Sequence, residues 1–498
     1  MGETMRYVMA IDQGTSSSRC MLYDLDGNTQ AVAQREIRQI FPEPGWVEHD
    51  PEEIWQTQAA VCLDAMRQLN LQPADIAGIG ITNQRETVVV WDRKNGKPIY
   101  NAIVWQDRRT TEHCARLKAA GCEQNVQVKT GLLLDPYFSA TKIRWILEHV
   151  DGALDKARQG ELAFGTIDSW LVWKMTRGEL HITDVTNASR TLLFNIDTLN
   201  WDQELLDLFE IPAAMLPEVK SSSECYGLMR DPLIGEGIPI AAIVGDQQAS
   251  LFGQLCVEPG MAKCTYGTGS FLVMNTGSEK IVSNHRLLTT IAWKIGERID
   301  YALEGSVFVA GAAIQWLRDE LHLFADAGDS ENLAASVSDN GGVYFVPAFT
   351  GLGAPFWDPA ARGAIFGLTR GTTAAHIARA ALESVAFQVD DILRILAADS
   401  GRPISQLRVD GGVAANQFLV QFQSDISALK VVRPAYLETT ALGAAYLAGI
   451  AVGVWTLEEL ANRWRADRFF HGTMPVEEIE SHEKQWRKAV ERVRNWAE

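Results

Sequence analysis

The sequence predicts an α/β fold built from two related domains. Apolar, β-branched segments alternate with segments of helical periodicity, which is typical of α/β proteins. A strand, a Gly-Thr turn rich in hydroxyls and a second strand open the chain, and the same order returns near residue 262. The 498 residues suffice for two or three domains. Since the repeated hairpins open each half, we expect a junction near residues 252–260 and domains spanning 1–254 and 255–498.

The first domain is predicted to start with a three-stranded meander. Its strands are 7–12, 19–23 and 31–37, with a turn at Asp26-Gly27-Asn28. A helix is predicted over 51–69, with Asp50 as N-cap and Pro51 at its first position. The apolar run 76–82 is predicted to be a strand that ends in the polar residues 83–86.

The second domain repeats this pattern. Strands are predicted at 262–266 and 271–274 around Gly267-Thr268-Gly269-Ser270. Residues 439–457 carry no charge, but they are rich in glycine and alanine and poor in large aliphatic residues, so we expect a buried helix and not a membrane span. Residues 476–498 are predicted to form a charged amphipathic helix with one solvated face.

The composition excludes several functional classes. A net charge of −18 disfavours nucleic acid and anionic membranes as partners. The seven cysteines include no C-x-x-C pair, which argues against structural zinc and favours reduced thiols. The short apolar run 8–11 does not resemble a signal peptide. We therefore expect a cytoplasmic protein.

Two Gly/Thr/Ser turns are candidate phosphate-binding loops. The P-loop and the G-x-G-x-x-G motif are both missing from the sequence. In the run from Asp12 to Arg19, hydroxyls and turn N–H groups can donate to phosphate oxygens and Arg19 can complete the cradle. Asp12, at a strand end, can hold Mg²⁺ directly or through water. An ordinary polar hairpin is the alternative for this turn, but the turn at 267–270 would supply a second cradle, as a phosphate chain between two domains requires.

A third glycine motif lies at Val409–Asn416. A strand there ends in Gly411-Gly412 before a helix, and a flat adenine ring could lie against such a backbone while Asn416 offers an amide. A plain strand-to-helix turn is the alternative.

These motifs, in this order, resemble the actin-like ATPase superfamily and more closely the FGGY carbohydrate kinases. Residues 137–149 and 363–383 fit the two signatures of that family, and the resemblance covers roughly residues 6–470. It implies two ribonuclease H-like, actin-like ATPase domains with a catalytic cleft between them, and ATP and Mg²⁺ as cofactors. It further implies homodimers or homotetramers, which are common in the family.

The substrate-side residues resemble those family members that phosphorylate glycerol. The matching runs are Asn83–Thr87, Trp105–Arg109 and Gly245–Gln248, together with Tyr137. Hydrogen bonds from Arg85, Glu86, Tyr137 and Gln247 suit a small polyol, and Trp105 and Phe271 would give apolar walls. An exposed Arg85–Glu86 ion pair is the alternative.

The resemblance also assigns roles to individual residues. Asp246 would be the base that takes the proton of the attacking hydroxyl, unless it is only a helix N-cap. Asp12 would organise the metal. The matching phosphate contacts are Thr15, Ser16, Ser17, Arg19 and Thr268, and the matching nucleotide contacts are Gly311, Gln315, Gly412 and Asn416.

Other activities within the superfamily remain open at this point. A kinase for xylulose, gluconate or another sugar is one alternative, and a non-catalytic ATP-driven binding protein is another. Some bacterial relatives bind fructose bisphosphate through a loop with glycine and arginine. The comparable stretch here, 229–237, carries Asp231 and Glu236 and lacks the arginine after the glycines, which argues against this regulation.

Overall fold

A computed structural model describes residues 6–497. The β-strands are β1 (Tyr7–Gln13), β2 (Ser17–Tyr23), β3 (Thr29–Glu36), β4 (Glu48–His49), β5 (Ile76–Asn83), β6 (Val89–Asp92), β7 (Ala102–Ile103), β8 (Leu162–Gly165), β9 (Ile182–Asp184), β10 (Phe194–Asn195), β11 (Asn200–Trp201), β12 (Glu218–Lys220), β13 (Ser223–Leu228), β14 (Pro239–Gly245), β15 (Ala262–Tyr266), β16 (Ser270–Gly277), β17 (Leu288–Ile295), β18 (Arg298–Val307), β19 (Tyr344–Val346), β20 (Ala364–Phe366), β21 (Gln406–Asp410), β22 (Lys430–Pro434) and β23 (Ala466–Phe470).

The α-helices cover the sheet and fill the outer layers. They are α1 (Pro51–Gln68), α2 (Thr111–Ala119), α3 (Glu123–Thr130), α4 (Ser139–His149), α5 (Ala153–Arg158), α6 (Ile167–Met175), α7 (Val185–Ala188), α8 (Gln203–Leu208), α9 (Asp246–Gly253), α10 (Gly311–Asp319), α11 (Asp329–Ala335), α12 (Ala374–Ser400), α13 (Gln417–Ser427), α14 (Thr439–Ala451), α15 (Leu457–Arg463) and α16 (Val476–Val493).

One 13-stranded mixed sheet runs through the molecule, in the order β23-β22-β21-β15-β16-β18-β17-β13-β14-β5-β1-β2-β3. It contains the same five-strand unit twice, as β3-β2-β1-β5-β14 and as β18-β16-β15-β21-β22. In both units the first three strands pair antiparallel and the last three pair parallel. The repeated hairpins in the sequence therefore do mark two copies of one unit, and the predicted α/β fold is confirmed.

The predicted elements of the first unit are present with nearly the expected bounds. β1, β2 and β3 form the meander, and α1 begins at Pro51 with the Asp50 carboxylate accepting a hydrogen bond of 2.9 Å from the Glu52 amide. Apolar residues of α1 and the strands, such as Ile54 and Trp55, pack in one buried core. Helix α1 packs on one face of the meander and does not cover the strand ends, where the site lies.

The uncharged segment is a buried helix, as predicted, although α14 ends at Ala451. It packs on β5, β1 and β14 and crosses α9 closely, because Gly443 and Gly253 leave room for the facing backbone. Ala444 and Ala448 join a core with residues of the first unit. Within residues 6–497, every helix falls short of the length and apolarity that crossing a membrane requires.

The C-terminal helix α16 ends at Val493 and is amphipathic, as predicted. Trp486 and Val490 are buried on its inner face, and the charged residues of the other face are exposed.

Candidate active site

The site lies where parallel strands of the sheet end together. Asp12 is in register with Thr82, and Asn83 is in register with Gly245, so β1, β5 and β14 end at the same edge. Asp12 lies in the last two residues of β1, the turn after β5 follows Asn83, and Asp246 at the start of α9 follows Gly245. Open α/β sheets bind their ligands at this edge. The loop Asp12–Arg19 and the runs Asn83–Thr87 and Gly245–Gln248 are thereby brought together.

The turn after β5 has an unusual backbone at Glu86. Its φ of 58° places it in the left-handed region, which a side chain larger than glycine rarely adopts. The Ser139 hydroxyl donates to the Glu86 carbonyl at 3.1 Å, and the Thr87 amide donates to the Arg85 carbonyl at 2.7 Å. These contacts turn the Arg85 and Glu86 side chains into the protein, where both are buried. The alternative of an exposed ion pair is wrong.

Four buried charges meet behind this turn. Arg85 holds both oxygens of Glu304 at 2.6 and 3.0 Å. Arg190 donates to Glu304 at 2.9 Å and to Glu86 at 2.6 Å. Burial by itself would raise the pKa of Glu304, but the guanidinium groups of Arg190 and Arg85 hold it at about 2. Glu304 is therefore a fixed anion that orients both arginines.

Arg85 also contacts the proposed base. Its Nε lies 3.1 Å from Oδ1 of Asp246, and its remaining hydrogens face Gln248 at 3.2 Å and the Tyr137 hydroxyl at 3.5 Å. Oδ1 of Asp246 also accepts a hydrogen bond from the backbone N–H of Gln247 at 2.7 Å. The helix N-cap is Gly245, so capping does not explain Asp246. Its side chain is 31% exposed, whereas that of Arg85 is 2% exposed, so the carboxylate is accessible from solvent.

A lysine holds the side-chain amide of Gln247. Nζ of Lys263, a buried residue of β15, lies 2.5 Å from Oε1 of Gln247 and 2.7 Å from the Thr265 hydroxyl. Burial lowers the pKa of this lysine, and the nearby carboxylates partly oppose that shift. Since the ammonium donates to Oε1, the amide nitrogen of Gln247 is left for another acceptor.

The aromatic side chains form one wall. Trp105 meets Tyr137 at 5.6 Å and Phe271 at 6.4 Å between ring centroids, both edge to face. Its indole nitrogen donates to the Thr15 hydroxyl at 2.9 Å. Through that bond the wall touches the first candidate phosphate loop. Burial raises the pKa of Tyr137 well above its ordinary value, so its hydroxyl is neutral.

The first candidate phosphate loop is the turn between β1 and β2. Ser16 is exposed at its tip, and Thr15 and Ser17 are half-buried. The Gly14 amide closes the turn on the Ser17 carbonyl at 3.0 Å. Arg19 stands opposite Asp12 across the hairpin and pairs with Glu438.

Asp12 is the residue of this loop suited to a cation. Burial raises the pKa of Asp12 to about 6; Arg19 partly opposes this and the Asp246 carboxylate adds to it. Within residues 6–497, no group of three or more His, Cys, Asp and Glu side chains forms a metal cage. A lone carboxylate beside a phosphate loop suits Mg²⁺, which takes most of its ligands from water and phosphate oxygens.

The second candidate phosphate loop is anchored to a helix start. Carbonyls of Gly267 and Thr268 accept the amides of Gly311 and Ala310 at 3.0 and 2.9 Å. A Cβ at Gly311 would stand 2.6 Å from the Gly267 carbonyl, so the approach requires glycine. Thr268 itself is exposed, as is Gln315 in α10.

The third glycine motif borders the same helix. Gly411 has φ of +85° and packs on the backbone of Tyr266, while Gly412 faces open space. Asn416 caps α13 through the Leu419 amide at 3.0 Å, and its nitrogen faces Ser330 at 3.4 Å. The strand-to-helix turn is therefore real, and Gly412 beside α10 leaves an open backbone surface.

Three charged residues of the site were not predicted. Glu304 and Arg190 are more than 100 residues from their partners in sequence, whereas Lys263 is 16 residues from Gln247. The available signal was a charge inside an apolar strand, at Lys263 in β15 and at Glu304 in β18, since such charges are seldom buried without a partner.

The fold and the site together define a sugar or polyol kinase. Residues 7–253 match the N-terminal domain, and residues 262–452 the C-terminal domain, of the FGGY family of carbohydrate kinases. The chain belongs to that family.

More specific likeness is to glycerol kinases. The chain is 58% identical to "Glycerol kinase" of Burkholderia ambifaria and 59% identical to that of Paraburkholderia phymatum, over 99% of each chain. Its structure matches the crystal structure of Plasmodium falciparum glycerol kinase with ADP, at TM-score 0.92, 39% identity and 98% coverage of both chains. Xylulose kinase from Lactobacillus acidophilus, at TM-score 0.88 and 23% identity over 98% of both chains, shares the fold.

Proposed function

We propose that the protein transfers the γ-phosphoryl group of ATP to glycerol and forms sn-glycerol 3-phosphate, the entry step of glycerol catabolism. The observation that carries this proposal is the contact between Arg85 and Asp246, 3.1 Å apart, in a pocket of balanced charge. It is supported by the identity to glycerol kinases over 99% of the chain.

Charge balance favours a neutral substrate. Arg85, Arg190 and Lys263 formally cancel Glu86, Glu304 and Asp246. A sugar acid such as gluconate would add an unpaired carboxylate to this pocket, at a large desolvation cost. Glycerol adds only hydroxyls, each of which can both donate and accept.

Polyol recognition is assigned to the buried side chains. One oxygen of Glu86 is held by Arg190, so the other is left to accept from a hydroxyl. Gln247 offers its amide nitrogen, because Lys263 holds its oxygen. Trp105, Tyr137 and Phe271 would cover the C–H face of the substrate. A polyol that missed these partners would leave buried polar groups unpaired, which is the basis of discrimination.

Proton removal is assigned to Asp246. Its Oδ1 is held by Arg85 and the Gln247 amide, which leaves Oδ2 to accept the proton of the attacking hydroxyl. The remaining catalysis is positioning and charge stabilisation, as in other phosphoryl transfers. We assign phosphate contacts to Thr15, Ser16, Ser17, Arg19 and Thr268, and nucleotide contacts to Gly311, Gln315, Gly412 and Asn416.

Arg19 must leave Glu438 to reach a phosphate, since the structure pairs the two. Asp12 is the side chain that would hold Mg²⁺, and the ion would neutralise charge on the phosphate oxygens. Closure of the cleft would exclude water.

Three broader expectations belong to this proposal. The domains would be 1–254 and 255–498, a division supported by the two five-strand units. The protein would be cytoplasmic, where ATP is available, and would assemble as a dimer or tetramer. Cell fractionation and light scattering of the purified chain test the last two.

The experiment is ADP release with a panel of glycerol, dihydroxyacetone, xylulose and gluconate, with the product identified by phosphorus NMR and its configuration by oxidation with a stereospecific glycerol 3-phosphate dehydrogenase. We expect glycerol to give the highest kcat/KM and sn-glycerol 3-phosphate as product. Preference for xylulose or gluconate would assign a different FGGY activity. ATP binding without any polyol-stimulated ADP release would indicate a non-catalytic ATP-binding protein.

A further inference from the structure

A short buried segment lies directly behind the polyol site. It begins at Asp184, the last residue of β9, passes through the four-residue helix α7 and ends at Arg190. Asp184, Thr186, Asn187 and Arg190 are all fully buried. We call residues 184–190 the support segment, because it bonds to several parts of the site and to no part of the nucleotide region.

Asp184 fixes the direction of the Thr186 hydroxyl. The Asp184 carboxylate accepts that hydroxyl at 2.8 Å, along with the Thr186 and Asn187 amides at 3.0 Å and the Ser222 hydroxyl at 2.7 Å. Since the proton of the hydroxyl points to Asp184, its oxygen is left to accept. It accepts the Gly245 amide at 2.8 Å.

Gly245 transmits this contact to the proposed base. It is the residue before Asp246 and the N-cap of α9. A Cβ at Gly245 would stand 2.8 Å from Cδ of Arg85 and 2.9 Å from the Gln248 amide oxygen. Because Gly245 is packed this closely, a shift of its backbone displaces Asp246 and Arg85 together.

The other end of the segment holds the polyol side. Asn187 exchanges two hydrogen bonds with Asn83, at 3.0 and 3.3 Å, and Asn83 ends β5 just before the Arg85 turn. Arg190 holds Glu86 at 2.6 Å. One segment of seven residues therefore fixes the strand ends that carry the base and the polyol ligands.

We propose that the support segment sets the position of the base relative to the polyol, with Thr186 acting on Asp246 through Gly245 and Arg190 acting on Glu86. The inference rests on the proposed polyol kinase activity. Thr186 and Arg190 are positioning residues that need not touch the substrate. Their effects should separate, because Thr186 reaches the base and Arg190 reaches a ground-state ligand.

The test compares Thr186→Val with Thr186→Ser. Valine keeps the shape but leaves the Gly245 amide without its acceptor, whereas serine keeps the hydroxyl. We expect Thr186→Val to lower kcat by about 10–100-fold, as misplacement of a reacting group does, with the KM for ATP unchanged. Thr186→Ser should stay within about threefold of the wild type, since its hydroxyl can still accept the amide.

Arg190→Lys gives the second arm. A lysine cannot hold Glu86 and Glu304 in the same fork geometry, so the KM for glycerol should rise about tenfold while the KM for ATP stays constant. If Thr186→Val does not fold, as judged by thermal unfolding, Thr186→Ala takes its place in the comparison with Thr186→Ser, because it also removes the hydroxyl that accepts the Gly245 amide.

Equal kcat in folded Thr186→Val and Thr186→Ser would overturn the role of Thr186, and an unchanged glycerol KM in Arg190→Lys would overturn that of Arg190. Failure of the proposed activity is seen separately, because it appears in the wild type as absent polyol-stimulated turnover.

Discussion

Replacing Asp246 by asparagine isolates proton transfer from binding. Oδ1 of Asp246 accepts two hydrogen bonds, from Arg85 Nε at 3.1 Å and from the Gln247 amide at 2.7 Å. In Asp246→Asn the amide oxygen takes this place, because only the oxygen can accept. The NH₂ group then occupies the position of Oδ2, where it donates to the substrate hydroxyl and cannot take its proton.

The expected changes in glycerol binding and in kcat follow from the contacts that Asp246→Asn retains. Arg85 keeps both bonds to Glu304, so the polyol wall should stay in place and glycerol binding should change by less than about tenfold. The lost contribution is that of a general base, about 10²–10⁴-fold in kcat. A loose phosphoryl-transfer transition state, with little deprotonation of the nucleophile, would place the loss near the lower limit.

The assay is coupled ADP release with saturating ATP and glycerol, combined with calorimetric titration of glycerol. The matched control is Asp246→Glu, because it keeps the carboxylate. Gln248→Glu is not a suitable control, because it adds a charge next to Arg85. A kcat above about one tenth of the wild-type value in Asp246→Asn would place the base elsewhere. Loss of glycerol binding would make Asp246 mainly a substrate ligand.

Four further outcomes are expected. Arg85→Ala should raise the glycerol KM about 10–150-fold and leave the ATP KM unchanged, because the charged hydrogen bonds that hold Asp246 and Tyr137 at the polyol site are lost. Initial rates at varied glycerol measure this, and an unchanged glycerol KM would show that Arg85 does not contribute to glycerol binding. Lys263→Met should raise the glycerol KM about tenfold, because the side-chain amide of Gln247 is no longer held in one orientation. An unchanged glycerol KM would refute the proposed orientation of that amide. Half-saturating Mg²⁺ should rise as the pH falls below about 6, because protonated Asp12 cannot bind a cation, and the rise should be smaller in Asp12→Asn, where only protonation of ATP remains. Fructose bisphosphate should inhibit little, because Asp231 and Glu236 repel it; strong inhibition non-competitive with glycerol would contradict this.

Local patterns predicted the elements well because local chemistry decides them. Helix α1 was expected over 51–69 and covers 51–68, since Asp50 caps it and Pro51 fits its first turn. Helix α14 is shorter than its uncharged segment, because Gly453, with φ of +72°, lies in the turn that follows it. The charged end of α16 was expected to reach 498, whereas the helix ends at Val493, the last residue of its buried face.

The partners inside the site were beyond local patterns. Arg85 and Glu304 are 219 residues apart, and they meet because β18, β17, β13, β14 and β5 are neighbours in one sheet. Sequence motifs gave the polar residues that follow strands, because strand ends share an edge. They did not give Arg190, which follows a four-residue helix whose position depends on the Asp184 contacts.

The distribution of these partners has a mechanistic consequence. Glu304 and Lys263 belong to strands of the second five-strand unit, yet they hold Arg85 and Gln247 of the first. Asp410, which ends β21 within the third glycine motif, accepts hydrogen bonds from Ser250 at 3.0 Å and Gln254 at 2.9 Å, which are in and just after α9. Burying these charges has a desolvation cost that the pairing only partly offsets. Their arrangement instead makes the proposed polyol site complete only when the two units are correctly placed, and we expect the same placement to bring the candidate phosphate loops to the proposed base.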